Sequence, residues 1–251
     1  MKKRIWVNLA QTLGAILFLI AIWYAIYFLV GNEQLVPAFS TCLKEAGKLL
    51  ISGGFWNAFF RTLGRALGAF GLAFILAIFF AVLSYLLPAF EKVFAPVVSA
   101  LRSLPTLAVL LILLVWWGAG FAPVAVAFLS LFPMLYTGIL AALIGIDKQL
   151  IEISRLQGTP IFRRIYRIYL PLSAPYILRE AGGALSFSLK LVVSAEVLAV
   201  TAKSLGGMMQ EAKVFAEMPT LFALMAIVFV FGLALELGVT YLAEIAERKV
   251  K

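Results

Sequence analysis

Long apolar stretches interrupted by few charges constrain the fold of this chain more than any motif. A hydrophobic run of about 20 residues is long enough to cross the roughly 30 Å hydrocarbon core of a bilayer as a helix. Lipid offers no water to hydrogen-bond the backbone, so helices are the simplest structures that satisfy it. We therefore predict an all-α membrane protein with about six transmembrane helices, at residues 12–30, 63–87, 97–117, 122–146, 181–200 and 220–243.

Composition agrees with this class and excludes several functions. Hydrophobic residues make up 64% of the 251 residues and charged residues only 13%, whereas soluble domains have about 45–50% and about 25%. The net charge of +9 comes from short basic clusters between apolar runs, which is typical of juxtamembrane segments and not of a nucleic-acid-binding surface. The chain has no histidine and one cysteine, which excludes histidine-based catalysis, an internal disulfide and a thiolate metal site.

The distribution of basic residues predicts the orientation of the helices. Stretch 12–30 is too long for the apolar core of a signal peptide, and no small-residue cleavage site follows it, so we interpret it as the first span. If the N-terminus is inside, 14 of the 21 Lys and Arg residues lie in cytoplasmic segments and six lie in outside segments. Basic residues favour the cytoplasmic side. We therefore expect a multi-pass plasma-membrane protein with both termini in the cytoplasm.

The chain is predicted to form one transmembrane domain, 1–251, without a soluble module. Residues 1–61 contain the first span and an outer interfacial segment, and residues 62–243 form the core. A cytoplasmic loop, 147–179, lies within this core. The outer segment is expected to contain an amphipathic helix, because apolar residues recur there at helical spacing: Leu43, Ala46, Leu49 and Leu50.

Small residues line faces of the second predicted span. Gly64, Gly68 and Gly71 recur at helical spacing, together with Ala66 and Ala69. Small residues let membrane helices approach one another closely. We predict that these faces make a helix contact within the subunit.

The loop 147–179 has more order than a simple chain reversal needs. Leu150, Ile151 and Ser154 start a short helix, Gly158 ends it, and Pro160 starts a second one. The pattern fits either a docking element for a partner protein or an interfacial helix held by anionic lipid headgroups, and periodicity does not separate them. The second helix has an apolar face with basic residues around it: Ile161, Phe162, Ile165, Ile168 and Tyr169, flanked by Arg163, Arg164 and Arg167.

This loop carries a recognisable pattern. Glu152 is followed by Gly158 at the sixth position, and after nine intervening residues comes Ile168-Tyr169-Leu170-Pro171. The pattern resembles the signature loop (the EAA motif) of binding-protein-dependent ABC importer permeases, which reads Glu-Ala-Ala, three residues, Gly, nine residues, Ile-x-Leu-Pro. Ile153 and Ser154 replace the two alanines. Shorter matches extend the resemblance to the nitrate/sulfonate/taurine-type group: Arg102-Ser103-Leu104-Pro105, Trp116-Trp117-Gly118, Ala195-Glu196 and Leu205-Gly206-Gly207.

The resemblance implies a type I ABC importer permease fold and a division of labour. Two permease subunits, expected to be a homodimer, form the pathway in the bacterial inner membrane. An extracytoplasmic solute-binding protein delivers the solute, and separate ABC ATPase subunits power the transport. The cytoplasmic coupling helix between helices 4 and 5 docks on the ATPase. The implied coupling residues are Glu152, Gly158, Ile161, Phe162, Ile168, Leu170 and Pro171.

The chain itself is not predicted to be an enzyme. It contains no Gly-x-x-x-x-Gly-Lys-Ser/Thr phosphate-binding loop. We therefore expect no catalytic residues, no metal site and no cofactor in this chain, with ATP and magnesium bound by the partner ATPase.

Charges inside the spans are candidates for the pathway or its gate. Lys190 and Glu196 lie in the fifth span, and Arg65 lies at the outer end of the second. A lone charge in the bilayer centre costs about 2.5–3.5 kcal/mol on insertion scales. Lys190 and Glu196 are six residues apart and point to different helix faces, so each needs a partner elsewhere. For Lys190 the alternatives are a passing anion or the gate, and an ion pair with Glu236. Headgroup contact is the simpler interpretation of Arg65.

Two other function classes remain open from the residues alone. A secondary transporter or channel would use its own intramembrane charges for coupling, and a membrane scaffold would need no solute. The resemblance favours the permease. Lys190 and Arg65, together with Arg61, indicate a small anionic solute, and the group implies nitrate, sulfonates, taurine or vitamin-precursor-like compounds.

Overall fold

The computed structural model describes residue 14, residues 17–18 and residues 20–250, apart from the side chains of Lys148, Arg155, Ile161, Phe162, Lys249 and Val250. The described chain is helical throughout and contains no strand. The helices in chain order are α1 (Ile20–Val30), α2 (Phe39–Ile51), α3 (Gly53–Leu86), α4 (Pro88–Ser103), α5 (Thr106–Ile144), α6 (Lys148–Leu156), α7 (Ile161–Arg164), α8 (Leu170–Ala199), α9 (Leu205–Val214) and α10 (Met218–Val250).

Four of the described helices are long and apolar enough to cross a membrane, which confirms the all-α membrane prediction. They are α3, α5, the continuous helix Ile165–Ala199 that contains α8, and Met218–Arg248 within α10. The first predicted span is represented by α1, and most of its N-terminal half lies outside the described residues. The short helix α6 and the helix α9 lie at opposite ends of the bundle, and these ends are called the α6 end and the α9 end below.

The third predicted span, 97–117, is wrong as a single helix. The chain leaves helical geometry at Leu104, with φ −66° and ψ 128°, and α5 begins at Thr106. Pro105 explains the break, because proline has no N–H to donate and disfavours helical geometry in the residue before it. The predicted third span is therefore divided between the end of α4 and the start of α5.

Gly118 divides α5 into two antiparallel arms, 106–117 and 119–144. Its φ of 71° and ψ of 174° are accessible to glycine and not to other residues without strain. In a straight helix Thr106 and Ser130 would be about 36 Å apart at 1.5 Å per residue. Both line one small cavity together with Val109 and Val126, so the chain reverses at Gly118. The second arm corresponds to the predicted fourth span.

A stripe of alanines, and not the glycines, packs α3 into the core. Ala66, Ala69, Ala73, Ala77 and Ala81 are all 0% exposed, whereas a Cβ added to any of the three predicted glycines would contact nothing within 4 Å. The predicted intra-subunit contact is therefore confirmed for Ala66 and Ala69 and wrong for the three glycines. Alanines at i, i+3 and i+4 spacing let α5 and α8 approach α3 closely while retaining helix propensity.

Helix α8 is the central helix of the bundle. It contacts α3, α5, α9 and α10, and the Ser188 hydroxyl donates to the Ala66 carbonyl at 2.8 Å. On another side Gly182 meets α10, where a Cβ would lie 3.3 Å from the Glu236 carbonyl oxygen. Helix α8 is therefore packed on several sides between the α6 end and the α9 end.

The predicted amphipathic helix of the outer segment is present as α2. It packs against α10 and buries Cys42, with a Lys48–Glu45 ion pair of 2.6 Å on its exposed side. Leu43 and Leu50, which were predicted on the apolar face, are exposed. Burial raises the pKa of the Cys42 thiol, and this keeps the thiol protonated and poorly reactive near neutral pH.

The alanine stripe predicts a position-specific effect of side-chain size. We expect Ala73→Val to destabilise the detergent-solubilised protein by about 1–3 kcal/mol, because overpacking strains a closely packed core. Gly68→Val adds the same β-branched side chain where the structure leaves open space, so it should cost less. Thermal unfolding of both variants checks this, and a larger loss for Gly68→Val would contradict the packing described here.

Candidate functional site

The α6 end carries an ordered elbow, formed by α6, α7 and the turn into α8. Asp147 caps α6, since its Oδ1 accepts a hydrogen bond from the Gln149 N–H at 2.8 Å. Gly158 ends it with φ +66°, and the Thr159 N–H donates to the Ser154 carbonyl at 3.1 Å. This 6→1 bond beside a left-handed glycine is a Schellman motif. The predicted helix, glycine stop and second helix are all present.

A π-helical turn, Ile165–Tyr169, joins the elbow to α8 without a break. Tyr169 contacts Tyr85 at the end of α3, with ring centroids 5.6 Å apart, and the Ser173 hydroxyl donates to the Tyr169 carbonyl at 2.6 Å. Pro171 follows this turn inside the continuous helix, where its missing N–H leaves one carbonyl of the preceding turn without a helical partner beside the π-helical turn. The elbow therefore continues directly into the central helix.

The predicted coupling residues lie at distinct places in this elbow. Glu152 is exposed on α6, Ile168 is half-buried against the core and Leu170 is exposed at the start of α8. The side chains of Ile161 and Phe162 lie outside the described part of the structure. The structure thus places Glu152, Gly158, Ile168, Leu170 and Pro171 along one continuous path from α6 to α8.

Helix α6 presents apolar side chains to the outside as well as to the core. Ile151 packs inward and is 8% exposed, whereas Ile153 is 52% and Leu156 is 83% exposed. A cavity of about 720 Å³ lies between the end of α5, the start of α6 and the first half of α8, and is lined by Asp147, Leu150, Tyr176 and Glu180, among others. The exposed apolar face beside Glu152 is the kind of surface that marks an interaction site.

At the α9 end a buried carboxylate joins three helices. Glu196 is 0% exposed and accepts hydrogen bonds from Arg65 Nη1 at 2.8 Å, Thr62 Oγ1 at 2.9 Å and the Gly206 N–H at 3.2 Å. Thr62 Oγ1 in turn accepts from the Leu205 N–H at 2.9 Å. Every partner of the carboxylate is a donor, which is the arrangement of an ionised carboxylate. We call these five residues the outer node.

Glycine is required where α9 meets α8. A Cβ on Gly206 would collide with the Glu196 Cβ and would lie 2.6 Å from the Val197 N. Ser204 caps α9, because its Oγ accepts from the Gly207 N–H at 2.9 Å. Thr201 Oγ1 donates to the Ala119 carbonyl beside the Gly118 reversal at 2.9 Å. Two of the short sequence motifs are therefore in contact, because Gly206 approaches Glu196 closely and donates a hydrogen bond to it. The motifs are Ala195-Glu196 and Leu205-Gly206-Gly207.

The three predicted membrane charges have different surroundings. Arg65 forms the ion pair with Glu196 and is 18% exposed, so the structure does not support the headgroup interpretation. Lys190 is exposed and forms no ion pair within the described residues. Its proposed partner Glu236 lies one turn along α10 from Gly232, which approaches Lys190 Cε, but the two side chains do not form an ion pair. Glu196 pairs with Arg65 on another helix, as expected for a charge that cannot pair with Lys190 on its own helix.

One face of α8 remains uncovered in the isolated subunit. The exposed or half-exposed residues recur at three- and four-residue spacing along the whole helix, which places them in one stripe. Glu180 lies near the α6 end of this stripe, over Gly138. We call it the open α8 face: Tyr176, Glu180, Gly183, Phe187, Lys190, Ser194 and Leu198.

Sequence reasoning missed Thr62 and the pairing of Arg65 with Glu196. A usable signal was the depth of the two charges, because both lie within a few residues of the outer ends of their predicted spans. Opposite charges at equal depth can pair across adjacent helices. The contribution of Thr62 could not be inferred, since it depends on where α9 folds back.

These features define a multi-pass helical membrane protein with a protruding elbow at one end and a buried polar node at the other. The family model for the binding-protein-dependent transport system inner membrane component matches residues 73–251. The chain belongs to this family of ABC importer permeases, and the resemblance inferred from the signature loop is confirmed. Thr62 and Arg65 lie before the matched region, so the outer node joins it to the preceding segment.

Relatives and solved structures agree with this assignment. The chain is 29% identical over 212 residues to a probable ABC transporter permease protein of Brucella melitensis, covering 84% of this chain and 86% of that one. It is 23% identical to the taurine transport system permease protein TauC of Escherichia coli, and the match covers 90% of this chain and 85% of that one. It is 26% identical to the riboflavin transport system permease protein RibX of Chloroflexus aurantiacus, and the match covers 88% of this chain and 82% of that one. Its fold matches the MetNI methionine ABC transporter in an inward facing conformation with TM-score 0.62 and 19% identity, over 76% of this chain and 94% of that one.

The outer node predicts a strong asymmetry between single and double substitutions. Glu196→Gln leaves Arg65 without its counterion, and we expect a loss of about 3–5 kcal/mol. Adding Arg65→Met should restore part of this stability, because the unpaired charge is then removed. Glu211→Gln, an exposed carboxylate on α9, is the matched control and should change little. Thermal unfolding in detergent checks the series, and equal effects of Glu196→Gln and Glu211→Gln would contradict the node.

Proposed function

We propose that this chain is the permease subunit of an ATP-driven importer, in which a separate ABC ATPase docks on the elbow and a second copy of the chain completes the pathway. The observation that carries this proposal is α6, a short helix with a Schellman stop at Gly158 and an exposed apolar face beside Glu152. A helix that is apolar on both sides is stable at an aqueous surface only if a partner covers one of them.

The chemistry of α6 fits docking in a groove of the ATPase. Ile153 and Leu156 supply the apolar contact, and Glu152 offers a carboxylate at its edge. Together they would give a buried centre with a charged rim, which is the usual anatomy of a protein interface. In this proposal the partner ATPase binds ATP and magnesium. This chain transmits the resulting movement and takes no part in ATP hydrolysis.

The elbow can transmit movement because it has no flexible joint to the bundle. The π-helical turn continues into α8, and α8 reaches the outer node at Glu196. The cavity of about 720 Å³ between α6 and α8 leaves room for the elbow to change position. Coupling between distant sites needs such an element with two positions, tied to both sites.

The open α8 face is the proposed wall of the pathway. It contains Glu180 and Lys190, which are costly to leave against lipid. A second copy related by twofold symmetry would place two such faces around a shared axis. We further propose that the α9 end faces outward, toward an extracytoplasmic solute-binding protein, and that both termini face the cytoplasm.

The proposed solute is a small anion. Lys190 is the only Lys or Arg side chain on the open α8 face as defined above, and it is exposed without an ion-pair partner in the described chain. A cation in a narrow pathway favours anions by direct attraction. The name of the TauC relative, a taurine permease, agrees with a sulfonate-like solute, and nitrate or a vitamin-precursor anion has the same charge.

Co-purification with the ATPase tests the proposed function. We expect Leu156→Glu to weaken the complex at least tenfold, because it places a charge in the apolar centre of the contact. Val214→Glu makes the same kind of change on an exposed residue of α9 at the opposite end and should leave the complex intact. Both variants are expected to retain wild-type thermal stability.

The contradicting result is equally clear. If no ATPase associates with the wild-type chain, and the purified chain moves solute down an ion gradient, the chain is a self-sufficient transporter. If Leu156→Glu and Val214→Glu weaken the ATPase complex equally, α6 is not the docking element.

A further inference from the structure

Two polar groups on neighbouring turns of α8 lack partners at the same point of the bundle. Ser186 is 1% exposed, and its Oγ has no hydrogen-bond partner among the described residues. Lys190, one turn further along, forms no ion pair there. A buried hydroxyl without a partner costs about 1–3 kcal/mol and calls for an explanation.

Gly232 of α10 approaches both of these groups. A Cβ on Gly232 would lie 3.3 Å from Ser186 Oγ and 3.8 Å from Lys190 Cε. A larger residue would therefore press on both side chains, and the Ser186 hydroxyl and the Lys190 stem lie close to each other at this level of the bundle.

A third polar group continues the row. Ser194 lies one turn beyond Lys190 and is exposed on the open α8 face. Residues four apart stack on one helix face, about 6 Å apart along the axis. The row therefore runs hydroxyl, ammonium, hydroxyl, and Lys190 lies about 9 Å along the axis from the level of Glu196 in the outer node.

None of the acidic residues packed around this row forms an ion pair with Lys190 in the described part of the chain. Glu196 is bound by Arg65, Thr62 and Gly206. Glu236 lies one turn along α10 from Gly232, and Glu180 is ten residues away along α8. The Lys190 ammonium group therefore has no counterion within the described subunit.

We propose that Ser186, Lys190 and Ser194 form a binding subsite for the oxyanion group of the solute, a sulfonate or carboxylate, within the pathway. This inference rests on the proposed function, because it needs the open α8 face to line a water-filled path. An oxyanion supplies the counterion for Lys190 and accepts a hydrogen bond from one serine hydroxyl at a time, because Ser186 and Ser194 lie about 12 Å apart along the helix axis. A cation would be repelled, and a neutral solute would leave the ammonium group unpaired.

The subsite is suited to passage and not to tight retention. One ammonium group and two hydroxyls give charge-assisted contacts without a bidentate clamp. Transport requires a site that is attractive enough to enter and weak enough to leave. This chain would then discriminate against neutral solutes itself, in addition to any discrimination by the solute-binding protein.

A cysteine introduced at position 187 reports the local charge in the assembled complex. Cys42→Ser removes the single native cysteine, and Phe187→Cys places a thiol on the open α8 face three residues from Lys190, about 5–6 Å away between Cβ atoms. The probes are the anionic reagent 2-sulfonatoethyl methanethiosulfonate and its cationic trimethylammonium counterpart. We expect Lys190→Gln to lower the anionic-to-cationic rate ratio about tenfold, because one charge about 6 Å away acts oppositely on the two reagents in a water-filled path. Lys213→Gln, an equal charge change on α9, is the control and should leave the ratio unchanged.

Protection of the same thiol tests the serines. Millimolar methanesulfonate should slow modification, dimethyl sulfone, its neutral counterpart, should not, and Ser186→Ala should weaken the protection severalfold. The inference is overturned if Lys190→Gln leaves the rate ratio unchanged, if both sulfur compounds protect equally, or if neither reagent reaches the introduced thiol. ATPase co-purification from the same sample reports on the proposed function separately, so an intact complex with an unchanged ratio overturns the subsite alone.

Discussion

The buried Glu196 carboxylate is the interaction on which the α9 end of this protein depends. Taking a carboxylate out of water is favourable only when its oxygens are fully paired, and Arg65, Thr62 and Gly206 satisfy them from three helices. This requirement fixes where α9 lies, why Gly206 cannot carry a side chain, and how α3 and α8 align. A polar node in an apolar bundle thus specifies one arrangement among many that hydrophobic packing would allow.

The same central helix connects this node to the elbow at the other end. The alanine stripe of α3 and the Ser188–Ala66 hydrogen bond hold α8 closely along its middle, and the π-helical turn leads from α7 into α8 without a gap. In the proposed importer, a push on α6 would therefore move α8, and the node would carry α9 with it. The open α8 face lies between the two ends, where such a movement would change the width of the pathway.

The sequence predicted the features that depend on local chemistry. Hydropathy located most of the spans, and Gly158 and Pro160 correctly placed the stop of α6 and the start of the next helix. Prediction from sequence failed where the burial of a residue depended on which neighbouring helix packs against it. The glycines of the second span are as small as the alanines, and only the neighbouring helices decide that the alanines face inward. Pro105 was a readable signal for the break in the third span, whereas the unpaired Ser186 hydroxyl became visible only once α10 was in place.

The most direct test of this account is whether the two ends of the subunit move together. Spin labels on single cysteines in the Cys42→Ser background, at Arg167 of the π-helical turn and at Val214 of α9, both exposed, would report distances between the two copies in the assembled complex. Trapping the ATP-bound state should change both distances in the wild-type background, and Glu196→Gln should preserve the change at Arg167 while reducing that at Val214. An unchanged Val214 distance in the wild-type background, or an equal response with and without Glu196, would contradict the account.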